Sequence, residues 1–167
     1  MTDEVRDALR PSQIGKTVVL GVGNTMRSDD GVGPYVVRRL ASIARVSLPG
    51  TVFIDAGSRP EDFVEDIIAI RPSKMIIIDG ADFGGYVGET RLIAEQDIPS
   101  STLTTHSFPL CITTRLIATE TGCKVFFIGI QVKSTAFGEG ISKEVCNGAD
   151  SIIDFITKEA LRGADYD

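Results

Sequence analysis

The sequence predicts a three-layer α/β fold, a twisted, mainly parallel (mixed) sheet of about five strands with helices on both faces. Two observations carry this. Short β-branched runs are apolar on both faces, and stretches of helical periodicity separate them. In such a sheet ligands sit beyond the carboxyl ends of the strands, and the carboxylates found there point to a site.

The elements follow in order. Thr17 to Gly21 (TVVLG) is a continuous β-branched run that leads into a Gly/Asn/Asp-rich loop. From Gly33 to Arg45, Tyr35, Val36, Leu40 and Ile43 recur at helical spacing, and Pro34 suits the first turn. Pro49 and Gly50 mark a turn before a second strand, Thr51 to Asp55 (TVFID). Pro60 to Ile70 reads as a helix whose acidic first turn, Glu61 and Asp62, matches the helix dipole. Met75 to Asp79 (MIIID) is a third strand, apolar on both faces. Glu89 to Ala94 (ETRLIA) is a further strand at or near an edge, and the expected exception to parallel pairing. Ser107 to Thr119 reads as a helix, Lys124 to Ile130 (KVFFIGI) as a buried strand, and Ser142 to Arg162 as a final helix. With no repeat, low-complexity tract or long linker, the 167 residues are expected to form a single domain, 1–167, with residues 1–16 as an N-terminal extension of no assigned role.

Composition narrows the function. A net charge of −6 argues against nucleic acid, because phosphate neutralisation needs a basic face. The start, MTDEVRDALR, is acidic and lacks the apolar run of a secretory signal, and no apolar stretch is long enough to span a bilayer. Cys111, Cys123 and Cys146 are odd in number and form no CxxC pair, so they read as reduced thiols. A cytoplasmic protein without membrane insertion is expected.

Three carboxylates fall at or just past strand ends: Asp30, Asp55 and Asp79. The loop GVGNTMRSDDGVGP opens like a dinucleotide fingerprint, yet the third glycine is replaced by Met26, and Asp29 and Asp30 would repel a pyrophosphate. Capping of the next helix explains one of those two carboxylates and leaves the other over. His106, the chain's one histidine, lies in a polar loop (TTHSFP) before an apolar helix. An imidazole with two carboxylates makes a mixed N,O set that suits divalent transition metals, with coordination positions left open. Asp82 reads as a turn residue, Cys111 as a helical core cysteine, and the G-x-S-x-G of serine hydrolases is missing.

The ordered segments GVGNTMRSDDGVGP, MIIIDGADFGG, TTHSFPL and FFIGIQ are similar to those of the hydrogenase maturation proteases, most nearly the HycI type, from about Thr17 to about Ile156. That resemblance implies a hydrogenase-maturation-protease-like domain and an endopeptidase of aspartic or metal-dependent type. Its expected substrate is the nickel-loaded large-subunit precursor of a [NiFe] hydrogenase, from which it removes a C-terminal extension. Nickel would be carried by the precursor, with no organic cofactor. Asp30, Asp79 and His106 match the family's metal-contacting and catalytic cluster, and Asp29 and Asp55 are candidates for supporting roles. The rival readings are a nickel-delivery or scaffold protein that binds the precursor without cutting it, and a self-contained zinc hydrolase. An unchanged precursor mass would mark the first, and stoichiometric zinc in the purified protein the second.

Overall fold

The computed structural model describes residues 1–10, 12, 14–43, 48–94, 110–138 and 140–164. Among them are five strands: β1 (Thr17–Val22), β2 (Thr51–Gly57), β3 (Lys74–Ala81), β4 (Thr90–Ile93) and β5 (Lys124–Gln131). Five α-helices accompany them: α1 (Asp3–Leu9), α2 (Val32–Ile43), α3 (Val64–Ile70), α4 (Leu110–Thr121) and α5 (Lys143–Ala164). The sheet order is β2-β1-β3-β5-β4. β1 pairs in parallel with β2 and β3, and β3 with β5, whereas β4 runs antiparallel to β5 at the edge. The mixed sheet is therefore the one expected, and the exceptional strand is the one expected to be exceptional.

The strand runs are apolar throughout because both faces of the sheet are covered. Val19, Ile76, Ile78, Ile128 and Ile130 point to one face, packed beneath α1, α2 and α5. Their sequence neighbours Val18, Leu20, Met75, Ile77 and Phe127 point to the other, against Ile67 of α3 and Leu110 and Ile117 of α4. The period-two alternation of a strand thus fills two cores at once. Among the described residues no helix is long and apolar enough to cross a membrane, and all three cysteines are free.

Two segments differ from the sequence reading. The single helix expected over Pro60 to Ile70 is split: Pro60–Phe63 is a 3-10 turn and α3 begins at Val64. Phe63 breaks the run, with φ −104° and ψ 2°, while its ring packs into the core beneath. The extension 1–16 is not idle either, since it carries α1. Thr2 caps α1 by accepting the N–H of Val5, Asp3 and Glu4 lie in its first turn, and Val5, Ala8 and Leu9 are fully buried. The predicted start of the helix at Ser107 lies outside the described residues, as does the end of the second helix at Arg45.

Candidate functional site

Beyond the carboxyl end of β1 the chain turns through Gly23, Asn24 and a 3-10 turn, Ser28–Gly31, straight into α2. Two glycines make so tight a path possible. Gly23 has φ +139°, and a Cβ there would lie 1.8 Å from the carbonyl oxygen of Asp30. Gly33, in the first turn of α2, is wedged between β1 and β3. A Cβ on it would meet the carbonyl oxygens of Val22 and Ile78 at 2.2 and 2.3 Å. The paired aspartates are thereby pressed onto the ends of the two central strands.

Asp29 and Asp30 do different work there, and neither caps the 3-10 turn through its side chain. Asp29, 1% exposed, accepts the backbone N–H groups of Lys133 (2.8 Å), Ser134 (3.1 Å) and Ser142 (2.6 Å), and the Ser142 hydroxyl (3.1 Å). Burial alone would raise its pKa, but these donors more than offset burial and hold it below the usual carboxylate value. It fastens the segment after β5 to the segment after β1. Asp30, equally buried, takes the N–H of Asn24 at 2.8 Å. Asn24 in turn accepts the N–H of Met26 through its side chain (2.9 Å) and that of Arg27 through its carbonyl (3.0 Å), closing the loop around Asp30.

Asp79 stands near the end of β3, opposite Gly129 of β5, with 9% of its surface exposed. Its carboxyl receives the N–H of Gly80, while Oδ1 is buried with no hydrogen-bond partner. Burial first, and the neighbouring charge of Asp30 second, push its pKa well above the usual carboxylate range. A buried acid with an unmatched oxygen is costly to stability, and such costs gather where a ligand or a reaction uses them.

The structure thus brings Asp30 and Asp79 together and places Asp29 beside them, facing another loop. Asp55 lies near the end of β2, which runs on to Gly57, at the same end of the sheet and paired with Gly21 of β1 in register, but is engaged by Arg38 of α2 and the N–H of Gly57. His106 lies outside the described residues, and no group of three metal-binding side chains occurs among those described. Cys111 is free and half-buried on α4.

Sequence reasoning passed over two residues here. Gln131, at the end of β5, receives the N–H groups of Phe83 (2.9 Å) and Gly85 (3.1 Å). It donates to Asp82 (3.0 Å) and to the carbonyl of Val132 (3.1 Å). All four hydrogen-bonding positions of the amide are filled, which fixes the loop that follows Asp79. The turn role expected for Asp82 holds, since it also accepts the N–H of Gly84 at 3.3 Å. Asn24 is the other. A glutamine closing an otherwise apolar strand, and an asparagine after a turn glycine, were the available signals.

Comparison with known proteins agrees with this fold. The family model described as HycI, hydrogenase maturation protease, matches residues 34–159. The hydrogenase 3 maturation protease of Escherichia coli is 32% identical over 136 residues, covering 81% of this chain and 85% of its own. A crystal structure of the [NiFe] hydrogenase maturation protease HycI from Thermococcus kodakarensis superposes with a TM-score of 0.82 at 29% identity, covering 94% of this chain and 98% of that one. The solution structure of the endopeptidase HycI from Escherichia coli gives 0.74 at 30% identity, over 86% and 90%. Fold and comparisons together define the class, an α/β peptidase with a mixed five-stranded sheet. Within that class the chain belongs to the hydrogenase maturation protease family, of the HycI type.

Proposed function

We propose that this chain is a cytoplasmic endopeptidase that removes the C-terminal extension from the nickel-loaded large-subunit precursor of a [NiFe] hydrogenase. The observation that carries the reading is the pair Asp30 and Asp79. Two buried carboxyls sit at the carboxyl ends of adjacent strands, Asp30 just past β1 and Asp79 near the end of β3, in a member of the maturation protease family, and one of them has an unmatched oxygen. Asp30 and Asp79 offer hard oxygen donors, and His106 an imidazole nitrogen, to a nickel that arrives already held by the precursor. The set is incomplete by itself, so only a precursor that brings the metal fills it, and the metal acts as a recognition signal. Polarisation of the attacked bond or of water is what the substrate's metal supplies. A carboxylate of the pair is placed to take the proton of the attacking water. Asp29 and Asp55 support the arrangement by holding the loops around it.

The test is the intact mass of a large-subunit precursor incubated with this protein, in nickel-loaded and nickel-free forms. Loss of a discrete C-terminal fragment from the loaded form alone, abolished by Asp30→Asn, is the expected result. Cleavage irrespective of nickel would keep the peptidase and remove the recognition role of the metal. Binding with unchanged mass would replace the peptidase by a delivery or scaffold protein.

A further inference from the structure

The loops leaving β1 and β5 are zipped together on the rim of the candidate site. Ser28 donates to the carbonyl of Gly138 (2.9 Å) and Gly138 to that of Met26 (3.0 Å), so that Arg27 and Gly138 form a short parallel bridge. Arg27 Nε donates to Thr135 (3.1 Å) and the Ser28 hydroxyl to Ala136 (3.1 Å). The Arg27 guanidinium lies 4.9 Å from the centre of the Phe137 ring. Beneath this zipper Asp29 fixes both ends of the second loop, at residues 133–134 and at Ser142.

Two large apolar side chains ride on this hydrogen-bonded rim and are left to solvent, Met26 at 58% and Phe137 at 79% exposure. Neither belongs to either core, and the Arg27 guanidinium is the one contact described for the Phe137 ring. They stand on the two loops that leave the same sheet end as Asp30 and Asp79, and the loop of Met26 is the loop that wraps Asp30. A stacked aromatic ring costs little entropy to bury, and a methionine adapts to what it meets.

We propose that Met26 and Phe137 form an apolar platform for the precursor chain, seating apolar side chains that flank the bond to be cut. This rests on the peptidase reading above and adds the residues that select its substrate. Asp29 is then a positioning residue that acts through the 133–142 segment, while the chemistry belongs to Asp30 and Asp79. The platform sets substrate affinity rather than the rate of the chemical step, since its contacts are equal in ground and transition states.

The experiment measures cleavage of the nickel-loaded precursor at varied concentration by the wild type, the double variant Met26→Ala/Phe137→Ala, and Leu161→Ala as an exposed apolar control on α5. The double variant should fold, because it leaves both cores and the backbone hydrogen bonds between the loops in place and gives up only the Arg27 contact with the Phe137 ring, and far-ultraviolet circular dichroism checks this. Its KM should rise about tenfold with kcat within about twofold of wild type, and the control should match wild type in both. An unchanged KM, or a fall in kcat alone, in an assay where the wild type cleaves, overturns the platform and leaves the peptidase standing. A wild type that does not cleave overturns the peptidase reading and the platform with it.

Discussion

At the scale of single residues, Asp29 and Asp79 put the same functional group to opposite uses. Asp79 is held well above the usual range by burial and by Asp30. Its ionisation is therefore harder in the fold than in the unfolded chain, and the resulting cost is absent below the ordinary carboxylate pKa, grows as pH rises through it and is present at neutrality. Asp29, held low despite its burial, contributes stability that is full above the ordinary value and is lost as pH falls through its folded pKa. We therefore expect Asp79→Asn to hold or raise Tm near neutral pH while abolishing precursor cleavage. Asp29→Asn should lower neutral stability by about 2 kcal/mol, a deficit that shrinks in acid, because an amide turns a donor toward groups that are themselves donors. Thermal melts at neutral and acid pH check both, and a large neutral destabilisation by Asp79→Asn would contradict the argument. Only part of this was legible beforehand. The strand run MIIID fixes where Asp79 falls, so its candidacy could be read. The role of Asp29 could not, since its partners lie more than 100 residues away in sequence. Nothing local announces such a contact.

At the scale of elements, periodicity served well wherever two faces or one clear stripe were buried. It placed all five strands, including β4 at the antiparallel edge, because each follows a break in apolar pattern. The sequence from Pro60 to Ile70 predicts one continuous helix because a 3-10 turn and the first turn of an α-helix bury their apolar residues at nearly the same spacing. The element left unassigned, α1, had its signals in plain view: Thr2 as cap, two acids in the first turn, and Val5, Ala8 and Leu9 at helical spacing. Seven residues give too short a window for a periodic pattern to stand out from chance. Its contribution is testable. Leu9 is fully buried among the residues packed with α2 and α5, so Leu9→Ala should cost about 2–5 kcal/mol. Loss of the cap in Thr2→Ala should cost about 1 kcal/mol. Urea unfolding measures both, and a Leu9→Ala midpoint equal to wild type would show that α1 is not docked in solution.

Across the whole molecule, stability and chemistry are separated along the strand direction. The amino end of the sheet is sealed by apolar packing and by hydrogen bonds among Ser12, Lys16 and Ser73, together with the Lys74 amine on the carbonyl of Arg10 at 2.6 Å. At the carboxyl end lie Asp30 and Asp79, and there burial penalises the charge of Asp79. Such a fold tolerates the penalty because its two cores are anchored elsewhere, and the comparison should be visible in paired variants. Met75, fully buried at the amino end of β3 on the α3 and α4 face, lies on the same strand as Asp79 but four residues earlier. Met75→Ala should lower stability by about 2–5 kcal/mol through the lost contacts and the cavity left behind. Well below its melting point the variant should still cleave precursor with kcat and KM near those of wild type, because β3 remains held on both sides by β1 and β5. Asp30→Asn should do the reverse and leave no cleavage in a protein that melts close to wild type. If Met75→Ala instead lost catalysis in proportion to stability at a temperature where it is fully folded, the two ends of the sheet would be mechanically coupled and the separation argued here would fail.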